Sequence, residues 1–236
     1  MVEIEYIGKC LLVKTAGKKI LAVGDLHLGY EEALNKAGVF VGRHLFVEVL
    51  RELQRTFEKV GRVSQVVLLG DIKHTFGRIL PQERGDVVKL IDMLAEHCVE
   101  IILIKGNHDV ILEPIAQGRS LIVEQFHRAG EVVFLHGDKD MGVIWGREIH
   151  TIVVGHGHPA INLSDGVKEE KYKCFLEGIF KGKKFIVVPS FAEHSEGTDP
   201  REYDLGLAWE LPMKKFRVKA VGENLEVLDF GMLKNL

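Results

Sequence analysis

Five short segments of the chain end in residue types that bind divalent metals: Asp25 with His27, Asp71, Asn107 with His108, His136, and His156 with His158. Carboxylate, amide and imidazole groups are oxygen and nitrogen donors suited to first-row divalent ions. Spacing matters as much as type. Residues i and i+2 leaving a strand project the same way, so Asp25 and His27 can converge on one point, as can His156 and His158. Five of the eleven histidines fall in these motifs; His44, His74, His97, His127, His150 and His194 are scattered. A lone Gly-Asp after a strand is usually a turn. Five such ends in one chain have no structural use, because so many charged and imidazole groups at one sheet edge are costly to bury without cations.

The elements that must position these residues show as periodicities. Apolar runs closed by glycine and polar residues span 18–25, 65–71, 99–109, 131–138 and 150–158. Such runs read as buried strands, and open α/β sheets gather functional groups at the carboxyl ends of their strands. The spacing of Val41, Leu45, Val49, Leu53 and Phe57 predicts a helix over 41–60. Val87, Leu90, Ile91 and Leu94 predict a second over 83–97. After Pro159 the pattern changes to paired strands with turns, over 172–178, 183–190, 205–211, 214–222 and 225–230. With no internal repeat and no linker, the expectation is one α/β domain over 1–236 with a more antiparallel sheet in its C-terminal part.

Composition bounds the class. The chain has 236 residues, 46% hydrophobic and 28% charged, which is enough to bury a substantial core. A formal net charge of −3 argues against a surface coated in positive charge, although a local basic groove would be hidden in the total. Cys10, Cys98 and Cys174 form neither a CxxC pair nor a disulfide framework, which fits a reducing compartment. The N-terminal segment lacks the apolar stretch of a signal peptide, and no apolar run approaches the roughly 18–20 residues that span a bilayer. A cytoplasmic chain without a membrane partner is expected.

In order, the motifs read Gly24-Asp25-Leu26-His27-Leu28-Gly29, Gly70-Asp71-Ile72-Lys73-His74, Gly106-Asn107-His108-Asp109, His136-Gly137-Asp138 and Gly155-His156-Gly157-His158-Pro159. The series resembles the calcineurin-like metallophosphoesterase superfamily over about residues 21–159. It is closer still to the archaeal and bacterial ICC-like phosphoesterases, which are related to the nuclease subunit SbcD and to ligase-associated enzymes. The resemblance implies an α/β fold, a four-layer α/β/β/α sandwich of two mixed β-sheets. It also implies a ligand division. One metal takes Asp25, His27, Asp71 and His158; the other takes Asp71, Asn107, His136 and His156, with Asp71 bridging. Two ions about 3.5–4 Å apart lower the pKa of a bridging water from 15.7 towards roughly 7 and hold the phosphate oxygens. His108 then becomes the candidate general acid for the leaving alkoxide. Mixed nitrogen and oxygen ligation disfavours magnesium; manganese is favoured by resemblance, with iron, nickel and zinc open.

The expected activity is phosphodiester hydrolysis on a phosphate ester substrate, with nucleotides or nucleic-acid ends among the candidates. The alternatives are a phosphomonoesterase and a non-catalytic scaffold, against which stands the presence of every expected ligand. The oligomeric state is not legible. Many relatives carry an acidic residue at the position of His74, whereas SbcD-type nucleases tend to carry histidine. His74 therefore reads either as a residue on the substrate side or as a helix cap. Besides contacting metal, Asn107 is a candidate substrate contact. Arg43, His44, Lys73 and Arg78 are candidates for a phosphate groove, or are solvated charge. Asp109 either orients the His108 imidazole or serves the turn. The polar loop 189–200 either approaches the site through His194 or Ser195 or merely connects strands. The residues after His158 read as core strands, so no capping domain is expected and long duplex DNA is not the leading substrate.

Overall fold

The computed structural model describes residues 2–109, 121–164 and 166–236. The chain opens with an antiparallel meander, β1 (Glu3–Ile7), β2 (Cys10–Thr15) and β3 (Lys18–Val23). Two helices, α1 (Tyr30–Lys36) and α2 (Leu45–Val60), lead to β4 (Val63–Leu68). Helix α3 (Pro81–His97) leads to β5 (Cys98–Ile104), and β6 is Leu121–Glu124. These strands form one sheet in the order β1-β2-β3-β4-β5-β6, parallel from β3 onwards.

The second sheet begins with β7 (Phe126–Ala129), β8 (Val132–Leu135) and β9 (Thr151–Val154). It continues with β10 (Ala160–Ser164), β11 (Glu169–Phe180), β12 (Lys183–Val187), β13 (Arg217–Val221) and β14 (Val227–Met232). Its order is β14-β13-β11-β12-β9-β8-β7, with β10 paired to β11. The β8–β9 and β9–β12 pairs are parallel and the others antiparallel, so both sheets are mixed, as expected.

Three apolar layers hold these elements. Helix α2 buries Val49, Leu53, Thr56 and Phe57, and α3 buries Val87, Leu90, Ile91 and Leu94. Both stripes face the outer side of the first sheet, where Leu21, Val66, Leu68 and Ile101 join them. Between the sheets, Ile20, Val67 and Ile102 pack against Phe134, Val153, Phe175 and Ile186. Val67 and Val66 thus serve opposite faces, as strand alternation requires.

The outermost layer over the second sheet consists of 3-10 turns and extended chain. There Ile144, Trp209, Leu211 and Phe216 lie on Ile152, Leu176 and Phe185. The segment 205–211, expected as a strand, is not one. Leu205, Trp209 and Leu211 do bury on alternating positions. Its backbone runs past the sheet instead of joining it, bonding at Ala208 N–H to the Gly137 carbonyl, 2.9 Å. Alternation reports a half-buried extended segment and not the presence of a partner strand.

Helix α2 starts at Leu45 and not at 41. Glu31 on α1 sets this start, its carboxylate accepting from His44 N–H and Leu45 N–H at 2.6 and 3.1 Å. The neighbouring Glu32 accepts from Gln82 N–H and Glu83 N–H at 3.1 and 3.2 Å, at the start of α3. Helix α1, seven residues long and invisible to a periodicity reading, therefore supplies the anions for the amino ends of both longer helices.

Candidate metal centre

Strands β3, β4 and β5 of the first sheet, and β8 and β9 of the second, all end at one edge. Each is followed at once by its motif. The turns are sharp: His27, Asp71, His156 and His158 have φ of 44°, 48°, 61° and 41°. Side chains rarely adopt this left-handed region, and each such residue costs of order 1–3 kcal/mol, which the surroundings must offset. The surroundings here are backbone bonds between turns. Leu26 and His27 N–H donate to the Asp71 carbonyl at 3.1 and 2.9 Å, and Leu28 N–H donates to Ile72 at 2.8 Å. Two glycines permit the close approach. A Cβ on Gly106 would lie 2.2 Å from Asp71 Oδ1, and one on Gly70 2.5 Å from His136 Nδ1.

Asp25, His27 and His158 form one donor group. Asp25 is fully buried. Its two oxygens accept from His156 N–H at 3.2 and 3.0 Å, and Oδ1 lies 3.3 Å from His158 Nε2. Burial would raise its pKa, but the His158 hydrogen bond and the nearby His136 and His27 hold the carboxyl well below the usual range. His27 Nε2 faces His158 Nε2 at 3.4 Å, and burial pulls the His27 imidazole down to about 3. On its far side, His158 Nδ1 bonds Ser195 Oγ at 3.0 Å.

Asp71, His136 and His156 form a second group. A carbonyl can only accept, so His136 Nδ1–H donates to Leu69, 2.8 Å. His136 Nε2 then faces Asn107 Oδ1 at 3.0 Å, His156 Nδ1 at 3.1 Å and Asp71 Oδ2 at 3.5 Å. Burial opposes charge on His136, yet its hydrogen bond to Asp71 and the charges of Asp25 and Asp71 outweigh it and push the imidazole up to about 9.

Asp71 Oδ2 also lies 4.0 Å from His27 Nε2 and 3.8 Å from His108 Nε2, so a third group joins His27, Asp71 and His108. Asp71 is thus common to two groups, with the first linked through His27. All seven expected ligands and His108 are brought to this one edge.

The surrounding residues divide differently from the sequence reading. His108 Nδ1–H donates to the His74 carbonyl at 2.6 Å, which turns Nε2 toward Asp71. Asp109 does not orient that imidazole. Its carboxylate accepts from Ile72 N–H and Gly106 N–H, both at 3.1 Å, and so serves the turns. Its burial and the nearby Asp71 push its carboxyl up to about 6.

His74 borders the centre, its ring 5.7 Å from His27 and 6.0 Å from His108. His194 borders it too, 6.3 Å from His27 and stacked on Tyr30 at 3.9 Å. The 189–200 loop therefore approaches through both His194 and Ser195. Tyr30 was missed by sequence reading, and only its position after Gly29 could have flagged it.

Of the four groove candidates, Lys73 and Arg43 are already engaged by other groups. Lys73 is fully buried, its ammonium donating to the Thr75 and Arg78 carbonyls. Arg43 donates to both oxygens of Asp86 at 2.8 and 3.1 Å and, among the described residues, bonds none of the ligand set. His44 meets Glu31 through its backbone, and Arg78 is exposed.

The donor set fits divalent cations. Nitrogen and oxygen atoms with lone pairs to offer converge at 3.0–3.4 Å around His136 and His158, where His136 Nε2 alone faces Asn107, His156 and Asp71. One ring proton cannot serve three neighbours well, whereas a divalent cation among these donors satisfies all at once.

A family model for calcineurin-like phosphoesterases matches residues 18–221. Among solved structures the chain is similar to the nuclease MPE of Pseudomonas putida, with 17% identity and a TM-score of 0.58. That alignment covers 98% of this chain and 100% of the nuclease. The phosphoesterase Yfce from E. coli aligns at 11% identity and a TM-score of 0.43, covering 90% of this chain and 98% of its own. Wild-type Vps29 from Entamoeba histolytica, complexed with zinc, aligns at 16% identity and a TM-score of 0.39, covering 90% and 99%. At 17% identity the likeness to the nuclease is one of fold. No curated protein matches the chain.

Proposed function

Because the chain belongs to the calcineurin-like phosphoesterase family, we propose that it is a phosphoric ester hydrolase that works with two divalent ions and prefers phosphodiesters. One observation carries the reading. Asp71 stands between two donor groups, 3.5 Å from His136 and 4.0 Å from His27, where a single carboxylate can serve both. Asp25, His27 and His158 would complete one ion's shell, and Asn107, His136 and His156 the other's. Manganese is our first choice among the ions. When bound, such a pair supplies Lewis acidity, which lowers the pKa of water and neutralises charge on phosphate oxygens.

The protein's own residues do the rest. Leu69 and Ser195 hold His136 and His158 by the ring nitrogens that face away from the centre, fixing both rings. The His74 carbonyl fixes the His108 tautomer and leaves Nε2 free to carry a proton to a leaving alkoxide. The diester preference is supported by the cations flanking the motifs. Lys73 is buried among carbonyls and Arg43 is held by Asp86, so neither is placed to balance the second charge of a monoester. The nuclease MPE, of the same fold over its full length, supports nucleotides or nucleic-acid ends as the substrate class. Three buried, unpaired cysteines support a cytoplasmic setting.

The test is an activity screen of manganese-reconstituted protein with bis-p-nitrophenyl phosphate, p-nitrophenyl phosphate and short single-stranded oligonucleotides. Turnover of the diester above the monoester is expected. A consistent monoester preference across metals reverses the diester reading, and inactivity on all of them favours a scaffold.

A further inference from the structure

We propose that Phe76 is a specificity-determining residue, a stacking platform for a nucleobase carried by the phosphate substrate. The inference rests on the hydrolase reading for the phosphate, and adds the chemistry of the group attached to it. Phe76 is 58% exposed, although its ring lies 3.5 Å from the His108 ring, centroid to centroid. His108 in turn reaches within 3.8 Å of Asp71. One side of the phenyl ring therefore covers the imidazole at the metal centre, while more than half of the residue stays open to solvent beside it. A phosphate held at the centre would bring its substituent alongside this ring.

The loop that presents Phe76 is firmly held. Glu83, fully buried, accepts from His74 N–H and Thr75 N–H at 2.9 and 2.8 Å and from Leu80 N–H at 2.9 Å. Lys73, also fully buried, ties the Thr75 and Arg78 carbonyls from beneath. Arg78 N–H closes the tip onto the Phe76 carbonyl at 2.8 Å. Burying a full carboxylate and a full ammonium is costly, and here both act to hold four residues in one shape. That shape exposes a large aromatic ring instead of hiding it. Rigid aromatic rings at a phosphate site stack bases with little regard to sequence, whereas covering His108 requires only an apolar group.

The experiment compares equilibrium binding of thymidine 5′-monophosphate and 2-deoxyribose 5-phosphate to the full-length, manganese-loaded protein by titration calorimetry. The two ligands share the phosphate and sugar, so their ratio isolates the base. The wild type is expected to favour the nucleotide by about tenfold, equivalent to ~1.4 kcal/mol. Phe76→Trp should keep that preference. Phe76→Leu, which keeps an apolar cover on His108, should abolish it by weakening the nucleotide alone. A wild type without the preference, or a Phe76→Leu variant that retains it, overturns the proposal. Binding needs no turnover, so a protein that hydrolyses nothing but shows the base preference would defeat the hydrolase reading and leave this one standing.

Discussion

Two clusters of charged side chains lie on either side of the loop 189–196, one buried and one half-buried, and they are built on opposite terms. On one side the loop meets the metal centre: Phe191 N–H and Ser190 Oγ donate to the Asp25 carbonyl at 2.9 and 3.0 Å, and Ser195 holds His158. There histidine nitrogens face one another, His27 and His158 at 3.4 Å and His136 and His156 at 3.1 Å. On the other side Lys9 and Lys173 meet Glu52 and Glu193. Lys9 lies 2.6 Å from Glu52, contacts Glu193, and donates to the Phe191 carbonyl at 3.2 Å. Lys173 donates to the Ser190 carbonyl at 2.8 Å and to that of Ala192. Every donor there meets an acceptor. Clustered charge alone therefore does not mark a cation site. Imidazole nitrogens and carboxylate oxygens converging on one point do.

The largest expected effect comes from the residue common to the donor groups. Asp71→Asn should abolish turnover and lower the occupancy of both ions together, read by metal analysis after desalting. His27→Ala and His136→Ala should each damage mainly one site. An Asp71→Asn protein with near-normal metal content and turnover would break the distinction between the two clusters.

Replacing His108 sharpens it. His108→Ala should keep both ions and lose roughly 10²–10⁴-fold in turnover, the range of a general acid. The loss should be greatest for alkoxide leaving groups and smaller for p-nitrophenolate, which departs without a proton. Equal losses for both would remove the acid role, and a lost ion would make His108 a ligand, as its place in a donor group with His27 and Asp71 permits.

The self-satisfied cluster should respond in stability and not in metal content. Lys9→Met leaves the half-buried Glu52 without its ion pair, at a cost of about 1–2 kcal/mol, between that of a surface pair and that of a fully buried one. Denaturant unfolding measures this, and Lys9→Met/Glu52→Gln should recover part of it. Loss of metal from Lys9→Met would instead couple the clusters through the shared loop.

The smallest effect is a slope with pH. Burial, with Lys9 nearby, pulls the Lys173 amine down to about 7 from its usual 10.5. Between those values the unfolded chain holds a proton that the folded chain has released, so this group makes stability rise with pH from about 7 to 10.5. Lys173→Met should flatten that rise in unfolding curves taken across the window.

Much of the architecture, and the candidate ligands that meet at one sheet edge, are legible before any contact is known. Strand runs closed by Gly-Asp, Gly-Asn-His or Gly-His-Gly-His report both burial and a sharp turn, and these are local properties of the chain. The two longer helices announce themselves through stripes such as Val49, Leu53 and Phe57. Helix α1 and strands β6 and β7 do not, because four to seven residues are too few to establish a period. Packing decides the remainder. A charge near a motif looks the same on paper whether it is free or bound, so nothing local tells that Arg43 goes to Asp86 or that Lys73 lies beneath its own loop. Likewise, the tautomer of His108 depends on the His74 carbonyl, thirty-four residues away, and the acceptance of His136 by Leu69 spans sixty-seven. Side-chain type and spacing select what a site can bind. Which nitrogen faces the ion and which ion pair is already closed depend on backbone carbonyls and partners that only the folded chain brings within 3 Å.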